Sequence, residues 1–294
     1  MSNQVPAWQG PILDNHFHLN RNGRYLDAAH DFKRAGGTNI VLIHCPDFAS
    51  PPTTKEGHRA AYQNTIAMAE SVRTELDLHV RVVLGPHPAA FAHQFIEWVG
   101  QDGAKGKNRA IENYRDSIDE AVKFYHEGNA HAIGEVGRPH WEVSQEIWDL
   151  SNDLLCETMS LAANDGFALQ LHVEGELEST YSDMAAMAEK SGLQKDRLIR
   201  HYSPPNVEAK ITQGLTPSVL AGKGALATLL ATAEQCSHGF MLETDYMDDL
   251  RRPGAVLGPK TVPKRTNQLL NAGIDEELLW RAHVDLPNEL YGQE

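Results

Sequence analysis

Apolar positions along this chain gather into eight short runs, and the stretches between them carry the three-to-four-residue spacing of amphipathic helices. The run over 38–45 is apolar almost throughout, as in a strand buried on both faces. Comparable runs at 12–19, 79–85, 130–137, 167–173, 197–201, 217–220 and 239–245 complete the set. Helical spacing covers 25–37, 53–76, 144–164, 181–190 and 225–233, and returns beyond 261. Over 53–76, Ala61, Thr65, Met68, Ala69 and Val72 share one face. The long connection 89–128 reads as two helices interrupted at 101–107. Met184 and Met187 read as packing residues. Strands that alternate strictly with helices imply a parallel sheet, and eight such units predict a closed (β/α)8 TIM barrel. No linker-like stretch divides the chain, so residues 1–294 are expected to form one domain. An open doubly wound sheet is the competing arrangement; ligand-type residues at strand ends in both halves of the chain suit a ring better.

Composition narrows the function. The formal charge of −14 argues against a broad, sequence-independent grip on nucleic acid, so no stable nucleic-acid scaffold is expected. It leaves room for a cation site that meets a single phosphate. Three scattered cysteines, Cys45, Cys156 and Cys236, give no disulfide framework. Residues 1–10 lack the basic start and apolar run of a signal peptide, and no segment reaches membrane-spanning length. The expectation is a cytoplasmic protein without a membrane partner.

The chemistry collects at strand ends. His16 and His18 alternate on one face of the first strand, so their imidazoles point the same way. In a barrel, all strand C-termini open on one mouth, which gathers His16, His18, Glu135, His172, His201 and Asp245, with His44 and His87 nearby. Four histidines and two carboxylates suit Zn²⁺, Mn²⁺ or Mg²⁺, and they are more ligands than one tetrahedral ion requires. Two divalent ions about 4 Å apart are therefore expected, with a carboxylate shared between them and a metal-bound hydroxide as the attacking group. Glycine on both sides of Glu135 allows the backbone to approach closely there.

These residues stand in stretches that together resemble the TatD-related hydrolases of the amidohydrolase superfamily, in particular an archaeal branch of predicted metal-dependent hydrolases. The resemblance rests on Asp14-Asn15-His16-Phe17-His18-Leu19, Gly85-Pro86-His87-Pro88, Gly134-Glu135-Val136-Gly137, Leu171-His172, His201-Tyr202-Ser203 and Glu243-Thr244-Asp245, over essentially the full length. It implies that His16, His18 and Asp245 hold one metal, that Glu135 bridges, and that His172 and His201 hold the second. It implies further that Asp245 takes a proton from the attacking water, which makes Asp245 and Glu135 the catalytic pair. Deoxyribonuclease activity is the family's usual one. The chain departs from the family where Arg138-Pro139-His140-Trp141 replaces the usual Leu-Asp-Tyr, and where Val173 and Tyr202 replace a common Cys.

His87, Arg138, His140 and Lys223 are the candidate substrate contacts. Lys223 lies in Gly222-Lys223-Gly224, ahead of a helix start that favours an anion. Trp141 offers a surface for stacking a base. The expected reaction is hydrolysis of a phosphodiester, with DNA as the leading substrate. A small amide, lactone or phosphate ester is the alternative, and a metal-binding protein without catalysis is the third reading.

Overall fold

The structure, a computed structural model, describes residues 7–175 and 178–293. Eight parallel strands lie side by side in chain order: β1 (Leu13–Phe17), β2 (Asn39–Ile43), β3 (His79–Leu84), β4 (Ala132–Gly137), β5 (Leu169–His172), β6 (Leu198–Ser203), β7 (Thr216–Leu220) and β8 (Met241–Glu243). Between and after them run α1 (Leu26–Arg34), α2 (Lys55–Leu76), α3 (Pro88–Asp102), α4 (Ala104–His126), α5 (Gln145–Asp165), α6 (Glu178–Ser191), α7 (Ala209–Thr212), α8 (Leu226–Thr232), α9 (Thr261–Asn271), α10 (Glu276–Trp280) and α11 (Leu286–Tyr291). This is the (β/α)8 barrel that the alternation predicts. Local chemistry sets the helix limits. Thr54 caps α2 by accepting from the Gly57 N–H, Ser144 caps α5, and Gly166, at φ 82°, ends α5 in the left-handed conformation a side chain resists. The break between α3 and α4 falls at Gly103.

The seam between β1 and β8 closes through side chains as much as main chain. Asp14, fully buried, accepts from the Thr244 N–H (2.9 Å) and from its hydroxyl (2.7 Å). Beyond it, Phe17 bridges Tyr246, and the His18 N–H donates to the Tyr246 carbonyl. β8 is shorter than its apolar run because the backbone turns at Asp245, whose φ of 47° no strand can continue.

The barrel interior is filled at its N-terminal end by Leu13, Val41, Val83, Ala132, Ile199 and Met241. Against them pack Leu286, Leu290 and Tyr291 of α11, which seals the end opposite the mouth. His283, on a π-helical turn between α10 and α11, accepts the Leu13 N–H at 3.1 Å and ties this seal to β1. A second apolar layer joins the outer strand faces to the surrounding helices.

Simple alternation fails at three places, and each holds a candidate ligand. The register shifts between Asp14 and Phe17, between Ile133 and Val136, and between Arg200 and Ser203, around His16, Glu135 and His201 respectively. Such irregularities re-aim a side chain. On β1, Asn15 and His16 both reach inward partners as a result. Around Glu135 the strands lie too close for side chains: a Cβ on Gly134 would sit 2.7 Å from Gln170 Cβ, and one on Gly137 1.9 Å from the His172 carbonyl oxygen.

Candidate metal centre

The six residues expected at the mouth meet around one carboxylate. Glu135 Oε1 lies 3.1 Å from His16 Nε2 and 3.3 Å from His18 Nε2. Asp245 Oδ1 closes that side, 3.8 Å from His16 Nε2 and 3.6 Å from His18 Nε2. The other oxygen, Oε2, lies 2.6 Å from His172 Nδ1 and 3.6 Å from both His201 Nε2 and His87 Nε2. Each Glu135 oxygen thus serves a different group of imidazoles. That is how a carboxylate shared by two cations is disposed, and three groups with ligand atoms within 4.8 Å of one another form around it: His16, His18 and Glu135; His16, His201 and Asp245; and His87, Glu135 and His172.

Hydrogen bonds at the back of each ring decide which nitrogen is offered inward. His18 Nδ1 faces the Ile43 carbonyl (3.2 Å), which only accepts, so His18 carries its proton there and presents a bare Nε2. His16 Nδ1 faces Gln170 Oε1 (2.8 Å) and His201 Nδ1 faces Glu243 Oε1 (3.0 Å), with the same result. His87 is the reverse case. Its Nδ1 accepts the Ala89 N–H (3.0 Å) and caps α3, so the proton sits on Nε2, aimed at Glu135. His87 therefore offers a donor at the mouth rather than a lone pair. His172 turns Nδ1 inward and leaves Nε2 to His140 Nδ1, 2.8 Å away.

Burial and charge pull against each other throughout. Burial works to raise the pKa of Glu135, but the imidazoles of His16 and His87 outweigh it and hold the carboxylate well below its usual range. Burial likewise opposes protonation of His16 and His18, yet carboxylates facing them raise both. His201 and His87 are pushed well down, first by burial and then by neighbouring histidines. A crowded set of histidines around one anion is a set of bases that divalent cations would satisfy. The donor set fits such ions: His16, His18 and Asp245 on one side of Glu135, His172 and His201 on the other.

The remaining candidates lie further out. His140 is exposed, beside Trp141 with ring centres 5.2 Å apart. Trp141 stands 6.0 Å from His93, and Phe48 lies 5.4 Å from His87, so aromatic rings line this side of the mouth. Lys223 is exposed on a 3₁₀ turn after β7, ahead of an α8 only seven residues long. Arg138, expected at the rim, is instead 3% exposed. Its guanidinium is held by Glu174, Asp183 and Asn152 and stacks on Trp148 at 4.4 Å, so it ties Glu174, just after β5, to α5 and α6. His44 is buried and bonded to Thr65 (2.9 Å), outside the ligand groups. Sequence reasoning passed over Gln170, Ser218 and Tyr291 and gave Asp14, Asn15 and Glu243 no role of their own. A glutamine amid the apolar residues of β5 was the one visible signal.

The whole chain has relatives of this architecture. A TatD-like protein from Archaeoglobus fulgidus superposes with a TM-score of 0.63 at 16% identity, covering 95% of this chain and 99% of that one. A phosphotriesterase homology protein from Escherichia coli, with phosphate in its active site, gives 0.61 at 12% identity, covering 96% and 98%. At these identities the likeness is one of fold. In sequence, an uncharacterized protein of Methanocaldococcus jannaschii is 30% identical over 285 residues, 96% of this chain and 95% of that protein. Families of this kind are typically dependent on divalent metals. Among the described residues, no helix is long and apolar enough to cross a membrane. A family model described as TatD related DNase matches residues 13–292, and the chain belongs to that family of hydrolase fold.

Proposed function

We propose that this protein is a metal-dependent phosphodiesterase that acts on DNA, with two divalent cations held on the two sides of Glu135. The observation that carries the reading is the division of labour between the Glu135 oxygens, one toward His16 and His18 and the other toward His172 and His201. Bound there, the cations would supply Lewis acidity and a lower pKa for water. The chain's own groups supply the rest. Asp245, 13% exposed at the rim, is the carboxylate best placed to accept a proton from an attacking water. His87 Nε2–H, 3.6 Å from Glu135 Oε2, and His140, against His172, would donate to the oxygens of a scissile phosphate. Lys223 and the Trp141 surface would contact flanking phosphates and bases. Arg138 supports this only indirectly, through its hold on Glu174.

The test is cleavage of end-labelled single-stranded DNA with Mg²⁺, Mn²⁺ or Zn²⁺, beside Asp245→Asn. Metal-dependent shortening that the variant lacks is expected. Failure to cut by folded, metal-loaded protein would overturn the nuclease reading. The internal engagement of Arg138, together with the net acidity, favours a second reading: a small ester or lactone, which needs no extended basic groove. Hydrolysis of aryl esters or lactones in the same preparation would select it.

A further inference from the structure

Beneath the metal centre, a line of buried polar side chains crosses the barrel interior from His16 to His201, passing through the C-terminal helix. Gln170 Nε2 donates to the Asn15 carbonyl (3.1 Å) and to the Tyr291 hydroxyl (2.8 Å). The Asn15 carbonyl only accepts, and the Tyr291 hydroxyl spends its proton elsewhere, so the amide is held one way round and Oε1 is left facing His16 Nδ1. The Tyr291 hydroxyl, having accepted, gives its own proton to Asn15 Oδ1 (2.8 Å). Asn15 Nδ2 then donates to the Ser218 hydroxyl (2.9 Å), and Ser218 donates to Glu243 Oε2. Glu243 Oε1 accepts from His201 Nδ1 (3.0 Å) and from the Tyr202 N–H (2.7 Å). Every proton from His16 onward points the same way, toward Glu243. At the far end His201 donates to the same carboxyl group. Gln170, Asn15, Ser218 and Glu243 are fully shielded from solvent and Tyr291 is 5% exposed, so no bulk water competes for these bonds.

We infer that Tyr291 is a positioning residue of the metal centre: it fixes the Gln170 amide, which fixes the proton of His16 on Nδ1 and leaves Nε2 free to ligate. The inference rests on the metal-site reading but on neither choice of substrate. It assigns the helix that seals the closed end of the barrel a part in the chemistry at the open end. A tyrosine that merely filled space among Leu286, Leu290 and Met241 would need its ring and not its hydroxyl.

The test uses the full chain, stripped of metal by a chelator, with histidine side chains labelled in ¹⁵N. Long-range ¹⁵N–¹H spectra distinguish the two neutral forms of an imidazole. In the unaltered protein, at an alkaline pH where His16 is neutral, His16 and His201 are expected as Nδ1–H forms. In Tyr291→Phe, which keeps the ring, the Gln170 amide loses one of its two acceptors and is held by the Asn15 carbonyl alone, and His16 is expected to show a mixture while His131 and His283 keep their signals. Zn²⁺ affinity, measured by competition with a coloured chelator, is expected to fall about threefold to tenfold in Tyr291→Phe and about tenfold to a hundredfold in Gln170→Leu. Ser218→Ala should act on His201 and spare His16. An unchanged His16 signal with unchanged Zn²⁺ affinity in Tyr291→Phe would overturn the inference. So would a change spread equally over His16 and His283, which is what loosened packing would give. If the unaltered protein bound no divalent cation, the functional reading would fail, and the histidine spectra would still decide this one.

Discussion

His201 is buried and fixed from behind like the pair across Glu135, but what stands behind His16 and His18 on one flank differs in kind from what stands behind His172 on the other. On one, His16 and His18 are almost fully buried, and their rings are fixed from behind by a carboxamide and a main-chain carbonyl, groups that cannot themselves change protonation near neutral pH. On the other, His172 is backed by His140, a second imidazole that is exposed and can gain or lose a proton. The first arrangement fixes on which ring nitrogen the proton sits. The second puts an exposed imidazole behind the ring. The difference teaches that similar donors can be backed in different ways; under the two-cation proposal, the first flank would keep its ion and the second would answer to substrate.

The sharpest way to break that comparison is to remove what both flanks share. Glu135→Gln is expected to lower hydrolysis by at least about a thousandfold and to leave less than one metal per chain by elemental analysis. Substitutions on single flanks should then part company. His18→Ala is expected to weaken the tightly held ion by about two orders of magnitude, whereas His172→Ala should release the second ion and leave the first in place. Titration with Mn²⁺ followed by paramagnetic resonance counts the two separately, and equal losses in both variants would erase the distinction. His140→Ala tests the proton exchange. Metal content should be unchanged, kcat should fall about tenfold, and a limb of the pH–rate profile present in the unaltered enzyme should be displaced.

A smaller effect concerns the closed end of the barrel. Burial lowers the pKa of His283 to about 4, and burial followed by nearby Arg73 and Arg81 lowers that of His131 to about 4. Both sit below the unfolded value, so the unfolded chain binds more protons between the two. The share of each residue in stability should therefore hold above about pH 6.5 and fall as pH drops from there toward 4, by roughly 1–3 kcal/mol. Burial pushes Asp14 and Glu243 up to about 7, which works the other way, so the check is the difference in urea unfolding between metal-free protein and His283→Gln across that range; a difference that did not change on acidification would contradict the sign. The smallest expected effect is at the aromatic rim, where Trp141→Ala should raise KM for an oligonucleotide about threefold and leave kcat alone.

Much of this was legible in the chain. Buried parallel strands are written as unbroken apolar runs, and ligands at strand ends are written where those runs stop, so Glu135 and His172 announce themselves through position. Local signals ran out in three ways. The register shifts around His16, Glu135 and His201 belong to strand pairs, and no single strand encodes them. Arg138 reads as a rim cation from its place after β4, yet its partners Glu174 and Asp183 come from another unit of the barrel. The bond from Gln170 to Tyr291 joins residues 121 positions apart, and nothing near either one points to the other.

The clasp of Asp14 on Thr244 has a consequence for the order of events during synthesis. The first strand leaves the ribosome with His16 and His18 already in place, but its lateral partner is β8, and Asp245 follows only there. Seven strands can pair in succession as they emerge, each against the one before. The ring closes when residues 241–246 arrive, and the plug of α11 comes later still. A nascent chain therefore carries most of the histidines of a hydrolase for most of its elongation without being one, because the enclosure that could arm them is made last.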